Sequence, residues 1–301
     1  YAIINFFIIV LILKLAFEIL NISIFQIKDY KNIGAWFLIF LVLNNITNQF
    51  FWSPSTKMLN LLCGTFTIKY IIKILNEKIS NKELILVFFI LGFSLLFYGV
   101  FIVSFSSLIL FYFSKNYKLN LPRSFWNIII FSVIFTSPFL IWYSFIQVIN
   151  SDFYFQVFRE HESVIWLVDL IKKKEFGAAT LKFYNYISYF IIGFLKQYWV
   201  LITAFIINIL IFFRDIKLNL KNPVILASTF YFFIYTIFYS LVGYLPLNIS
   251  AGLVVPIIII FTFLIKENYK NCVRKNKFIT INSFAIFIFY IWSIQKFGPY
   301  S

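Results

Sequence analysis

Long runs of apolar residues, separated by short polar segments, are the feature that most constrains how this chain folds. The runs lie near 2–27, 33–51, 57–75, 84–113, 124–146, 183–213, 222–241, 249–265 and 278–294. A helix that spans a membrane needs roughly 20 mostly apolar residues, and most of these runs reach that length. The pattern predicts an all-α polytopic membrane protein with about ten transmembrane helices and one large outer loop that carries short interfacial helices.

The composition excludes most soluble classes. Of the 301 residues, 62% are apolar and 12% are charged, and the mean hydropathy is +0.90. A water-soluble fold of this size cannot bury so much apolar surface, so we exclude a soluble enzyme, a nucleic-acid-binding domain and a disordered chain. The net charge of +15 fits cytoplasmic loops rich in Lys and Arg. Because the chain begins at Tyr1 and not at Met, we expect a fragment without its true N-terminus.

The distribution of positive charge predicts which loops face the cytoplasm. Most of the 26 Lys and Arg residues lie in the segments 28–31, 69–82, 115–123, 214–221 and 266–277. The connections at 52–57 and 242–248 between them hold only Lys57. We therefore expect the basic segments inside, and the start of the chain, the segment 147–182 and the C-terminal tail outside.

The apolar run 84–113 needs a special topology, because basic segments flank it on both sides. If both flanks lie inside, the run crosses twice as two short helices, or enters and returns, with Tyr98-Gly99 as a possible turn. The alternative is one long tilted helix, which would invert every later span. We favour the two short helices.

The run 183–213 is too long for one perpendicular span and begins with a tyrosine-rich stretch. Tyr is typical of the membrane–water interface, so we expect an interfacial helix there, followed by a span from about Lys196 to Phe213. Lys182 and Lys196 flank this stretch. Lys196, at the outer end of the span, is either a snorkelling side chain or lies where a lipid-linked phosphate would bind.

The segment 147–182 is the most informative for function, because it holds the only His and five of the 11 acidic residues. Its candidate residues are Asp152, Arg159, Glu160, His161 and Glu162. The segment is either a charged, solvated cap over the helices or a loop that recognises an anion and positions an acceptor. Glu160, His161 and Glu162 are neighbours that point in different directions on a helix, so their spacing gives no support to a metal site.

Three smaller features have modest interpretations. Lys172-Lys173-Lys174 is either a solvated run or a contact for lipid headgroups. Lys14 and Glu18 are four residues apart, which allows an ion pair on one helix. The two cysteines, Cys63 and Cys272, form neither a disulfide framework nor a metal site.

The order of the elements resembles that of the GT-C glycosyltransferase superfamily, in particular the branch of dolichyl-phosphate-mannose protein mannosyltransferases and lipid A aminoarabinose transferases. The shared features are alternating spans, a pair of very short spans and a large outer loop before an interfacial helix. The turn that contains Pro54 is similar to a short outer connection of that family, and Tyr244-Leu245-Pro246 is similar to its late aromatic–Leu–Pro step. The topological resemblance covers nearly the whole chain.

The resemblance implies an enzyme that transfers a sugar from a polyprenyl-phosphate donor to a glycan, lipid or protein acceptor at the outer face of the bacterial inner membrane. It implies no nucleic-acid partner and no firm cofactor. The family's catalytic Asp or Glu lies in an earlier outer loop, so we expect the general base upstream of Tyr1 and an inactive fragment. The residues available to bind substrate or to stabilise the leaving lipid phosphate are Arg159, His161, Lys182, Lys196, Glu160, Glu162 and Asp152.

Two other functions stay open at this point. A lipid-linked glycan polymerase or ligase would extend upstream with several more spans and without an acidic first loop. A non-enzymatic transporter or flippase is typically built from internal repeats, which the two halves of this sequence do not show. The expected organisation is an N-terminal transmembrane module (1–146), an outer loop with an interfacial helix (147–195) and C-terminal transmembrane helices (196–301).

Overall fold

The computed structural model describes residues 2–21, 57–96, 99–116, 121–149, 165–211, 222–242 and 251–271, with isolated positions between 280 and 291. Within these residues the protein is all-helical, with nine α-helices and no strand, as the sequence predicts. The helices are α1 (Ala2–Ile19), α2 (Lys57–Leu75), α3 (Asn81–Leu95), α4 (Phe101–Asn116), α5 (Leu121–Ile149), α6 (Ile165–Lys172), α7 (Phe176–Ile211), α8 (Pro223–Val242) and α9 (Ala251–Asn271).

Three stretches of helix in the described part are long and apolar enough to cross a membrane, namely Met58–Leu75 in α2, Leu121–Ile146 in α5 and Pro223–Val242 in α8. The shorter α4 is also apolar. Large apolar side chains on α5, such as Trp126 and Ile141, are exposed, as expected where a helix faces lipid. These helices support an integral membrane protein, whereas the total of about ten spans is not confirmed.

Side-chain caps explain where two of the helices begin. Before α3, the hydroxyl of Ser80 accepts a hydrogen bond from the backbone N–H of Glu83 at 3.2 Å. Before α8, the side chain of Asn222 accepts one from the N–H of Val224 at 2.9 Å, with Pro223 as the first helical residue. Such caps satisfy N–H groups that have no acceptor within the helix, and proline suits the first position because it has no N–H.

The run 84–113 forms two helices, α3 and α4, with a short connection that includes Gly99, so the expectation of two short helices is confirmed. Glu83, in the first turn of α3, pairs with Lys73 near the end of α2 at 2.5 Å. Lys115, in the last turn of α4, donates to the carbonyl oxygens of Ile74 and Leu75, each at 2.8 Å. The two outer ends of the hairpin therefore meet at one place, the C-terminal end of α2.

Aromatic rings fill the space between α3, α4 and α5. The ring of Phe88 lies 5.5 Å from that of Phe105 and 4.8 Å from that of Phe131, and Phe105 stacks on Phe135 at 4.1 Å. The backbones of α3 and α5 also touch, because a β-carbon at Gly92 would overlap the carbonyl group of Phe135. Such close approach places α5 firmly against the hairpin, which in turn fixes the residues at its N-terminal end.

The chain divides into two units: unit 1 comprises Tyr1–Ile72, Gly193–Phe232 and Asn248–Ser301, and unit 2 comprises Lys73–Ile192 and Phe233–Leu247. The hairpin and its aromatic core belong to unit 2.

In unit 1, the Lys266 ammonium donates to the carbonyl oxygen of Leu20 at the C-terminal end of α1. In the same unit, Glu18 pairs with Lys69 of α2 and not with Lys14, so the ion pair that the sequence allows within α1 is not formed. The reason is that a neighbouring helix presents a cation nearer to the carboxylate than the residue one turn away.

One helix covers both parts of the run 183–213, and the start of a membrane span near Lys196 stays a prediction. Helix α7 runs without a break from Phe176 to Ile211, and it contains no proline. Tyrosine side chains indicate the depth of a segment in a membrane, but they do not end a helix, because Tyr is an acceptable helix residue.

Candidate functional site

Two of the predicted site residues, Lys182 and Lys196, lie in the part of the chain that the structure describes. The other five, Asp152, Arg159, Glu160, His161 and Glu162, lie outside the described residues, so their roles stay predictions. Lys182 and Lys196 both belong to α7. Lys182 falls in unit 2 and Lys196 in unit 1, so each is described by itself.

Lys182 is held by aromatic rings in unit 2. Its ammonium lies 5.1 Å from the centre of the Trp166 ring and 5.9 Å from that of Tyr186, distances typical of cation–π contacts. Trp166 is itself fixed, because its indole N–H donates to the carbonyl oxygen of Leu241 at 2.8 Å and its ring meets Tyr186 edge to face at 5.4 Å. Lys182 stays exposed, so a positive charge is fixed in place and still accessible to a ligand.

The run Lys172-Lys173-Lys174, at the C-terminal end of α6, has a clear structural role. Lys174 has a left-handed backbone (φ 60°) and its N–H donates to the carbonyl oxygen of Ile171, while the N–H of Glu175 donates to that of Leu170. This pattern of two bonds ends a helix and turns the chain, here from α6 into α7. Positive side chains near this end also interact favourably with the partial negative charge of the helix C-terminus. The run therefore has a structural explanation whether or not it contacts lipid.

A second polar region lies in unit 2, at the N-terminal end of α5. The sequence did not single out this region as a site. It is a cleft of about 370 Å³, formed where α2 and α4 end and where α3 and α5 begin. Its charged lining residues are Glu77, Lys115 and Arg123. Lys115 is largely occupied, because it donates to the last carbonyl groups of α2 and lies 3.2 Å from the Glu77 carboxylate.

The cleft is also lined by two buried residues that carry hydroxyl groups, Tyr112 and Ser124. The Tyr112 hydroxyl accepts a hydrogen bond from the side-chain amide of Asn127 at 2.6 Å, and Tyr112 is 7% exposed. Ser124, in the first turns of α5, is 3% exposed, and its hydroxyl forms no hydrogen bond with any residue in the described ranges. Since a tyrosine hydroxyl that accepts one bond still has its own proton to donate, both groups are hydrogen-bond donors for a ligand in the cleft.

Sequence reasoning missed this cleft because it treated 69–82 and 115–123 only as indicators of orientation. The available signal was the hairpin, since two basic segments that flank a hairpin must lie near each other. Tyr112 and Ser124 give no such signal, because their burial depends on how α4 and α5 pack. Among the described residues, no group of His, Cys, Asp and Glu could hold a metal ion.

Comparison with protein-family models, with curated proteins and with solved structures finds no match to this chain.

Proposed function

We propose that the chain belongs to a membrane glycosyltransferase of the bacterial inner membrane, which transfers a sugar from a polyprenyl-phosphate donor to an acceptor at the outer face. The observation that carries the proposal is the arrangement of Lys182, Trp166 and Tyr186 at the start of α7. A lysine that two aromatic rings hold in place, and that stays exposed, is suited to bind the phosphate of a lipid-linked donor as a point charge.

The surroundings of Lys182 fit an interfacial position. Trp and Tyr are enriched at membrane–water interfaces, and the short helix α6 exposes the apolar side chains of Val168 and Ile171 on one face. An exposed apolar face next to lysines is typical of a helix that lies in the interface. A donor phosphate would lie at the same depth, because its prenyl chain is in the hydrocarbon and its sugar is in water.

The order of the elements adds support. The acidic and His-containing segment directly precedes α6 in the chain, and Arg159 within it offers a planar fork of donors for phosphate. In this mechanism a carboxylate from elsewhere in the enzyme removes the proton of the acceptor hydroxyl, and the cations stabilise the phosphate as it leaves. Arg159 would act mainly on the transition state and Lys182 mainly on donor binding.

Donor-concentration kinetics on the full-length protein in proteoliposomes test this proposal, with polyprenyl-phosphates that carry labelled mannose or aminoarabinose. We expect Arg159→Ala to lower kcat by about a hundredfold, as for the loss of one oxyanion donor. Lys182→Gln should raise the KM for the donor by about tenfold or more, as for the loss of a charged hydrogen bond.

Lys173→Gln is the matched control, because Lys173 is an exposed cation in the turn after α6 that contacts neither aromatic ring. Its kinetic constants should stay at the wild-type values. No labelled product with either donor, or equal effects of Lys182→Gln and Lys173→Gln, would contradict the proposal. Product that grows by the addition of whole repeat units would indicate a polymerase instead.

A further inference from the structure

We propose that the cleft at the ends of α2, α3, α4 and α5 is a binding site for a phosphate group, separate from the donor site of the proposed glycosyltransferase. The two regions lie toward opposite ends of α5 in the chain order, because Arg123 and Ser124 begin this 29-residue helix and α6 follows it. The proposal does not depend on the glycosyltransferase function, since it uses none of the residues at the start of α7.

The donors that line the cleft favour a ligand that only accepts hydrogen bonds. Ser124 and Tyr112 are each more than nine-tenths buried, and neither hydroxyl proton is donated to a residue in the described part. The first N–H groups of α5, a helix that begins at Leu121, also have no acceptor within the helix. Donors that line a cleft and have no acceptor within their own helix can donate to a ligand, so these groups favour an anion with several oxygen atoms.

The charge of the cleft favours the same ligand. Of the three charged residues that line the cleft, Glu77 is acidic and pairs with Lys115 at 3.2 Å, and Arg123 is the second basic residue. The guanidinium group of Arg123 can donate two parallel hydrogen bonds to a phosphate, a geometry that lysine does not offer. Two hydroxyl donors, a helix N-terminus and a guanidinium group together fit a phosphate better than a single carboxylate.

A phospholipid headgroup and a free phosphate share this chemistry. The neighbouring side chains of Phe125 and Trp126 are exposed and apolar, and the apolar stretch of α5 that can cross a membrane begins at Leu121. The start of α5 is therefore at the level where phospholipid headgroups lie, with room for acyl chains along the exposed face of the helix. The cleft volume of about 370 Å³ is large enough for either ligand.

Binding measurements on the purified chain in an uncharged detergent test the proposal, with dioctanoyl phosphatidylglycerol as the lipid probe and inorganic phosphate as the soluble probe. Dioctanoylglycerol, which has the same acyl chains and no phosphate, should bind much more weakly than the lipid probe. Competition by inorganic phosphate would identify a soluble phosphate as the ligand. Lipid binding without such competition would identify a headgroup.

Three variants locate the site. Arg123→Gln and Ser124→Ala should each raise the apparent Kd for the lipid probe by about tenfold. Arg123→Lys should give an intermediate value, because it keeps the charge but loses the fork of donors. Lys82→Gln is the matched control and should stay within about twofold of wild type, because Lys82 is an exposed cation of α3 that does not line the cleft.

Arg123 is exposed, so Arg123→Gln is expected to fold, and size-exclusion chromatography would verify this. Equal binding of dioctanoylglycerol and the phospholipid would overturn the proposal. So would an unchanged Kd for folded Arg123→Gln, or equal losses for Arg123→Gln and Lys82→Gln.

Discussion

At the residue scale, Gly92 is needed because two helix backbones meet there. A β-carbon at this position would lie 2.9 Å from the carbonyl carbon of Phe135 and would overlap its oxygen, and both atoms belong to the backbone of α5. A backbone cannot rotate away as a side chain can. We therefore expect Gly92→Ala to destabilise the protein by about 1–3 kcal/mol, although alanine is the better helix residue. Thermal unfolding in a fixed detergent would show a lower midpoint.

Gly177→Ala is the control for this prediction. Gly177 lies in the first turn of α7, and a β-carbon there would meet no atom within 4 Å. The unfolding midpoint should therefore rise slightly or stay unchanged. A Gly92→Ala variant as stable as Gly177→Ala would mean that α3 and α5 are farther apart than the structure has them.

At the element scale, α5 continues through Pro138, although proline cannot donate the usual hydrogen bond to the carbonyl group of Ile134. The hydroxyl of Ser137 takes over this role and donates to that oxygen at 2.9 Å. In a membrane, an unsatisfied carbonyl group is costly, which explains why a serine next to a proline is useful in a span.

We predict that Ser137→Ala destabilises the protein by about 1 kcal/mol, and that the same change costs almost nothing in a Pro138→Ala background. In that background, the N–H of residue 138 can bond to the Ile134 carbonyl group, and the hydroxyl is no longer needed. Unfolding midpoints of the two single variants and the double variant, compared as a double-mutant cycle, provide the measurement. Additive effects would show that Ser137 does not compensate for the proline.

The elements also show which sequence signals predict structure. The hairpin of α3 and α4 was predictable, because positive charge on both sides of 84–113 requires two crossings or a return. The continuity of α7 was not predictable, because a tyrosine-rich sequence indicates an interface but gives no information on where a helix ends. The Glu18–Lys69 pair was also not predictable, since it joins two helices that are far apart in sequence.

At the scale of the whole molecule, the same lysines that predict the orientation also cap helices. Lys115 donates to the last carbonyl groups of α2, and Lys266 donates to that of Leu20 at the end of α1. Helix C-termini carry partial negative charge, so a basic segment is favoured beside them. Of the two candidate sites, Lys182 was predictable as a cation beside a tyrosine-rich stretch. For the cleft, the hairpin predicts only that the two flanking basic segments meet, because the positions of Tyr112 and Ser124 depend on how four helix ends converge.

The last prediction concerns how the chain is placed in the membrane. Single cysteines at Ser80, Lys118 and Glu175, in a background with Cys63→Ala and Cys272→Ala, report on the two ends of the hairpin and on the turn before α7. The ends of the hairpin meet at the C-terminal end of α2, and basic segments face the cytoplasm, so Ser80→Cys and Lys118→Cys should react with an impermeant maleimide only in inverted vesicles.

Glu175→Cys should react only from the outer side, because one crossing by α5 separates it from the hairpin. Different sidedness for Ser80→Cys and Lys118→Cys would contradict the hairpin. Reaction of all three cysteines from the same side would mean that α5 does not cross the membrane. If the sidedness of all three cysteines is reversed, the result still agrees with the hairpin, but the rule that basic segments face the cytoplasm fails for this chain. The C-terminal end of α2, which Lys115 caps, would then lie at the outer face.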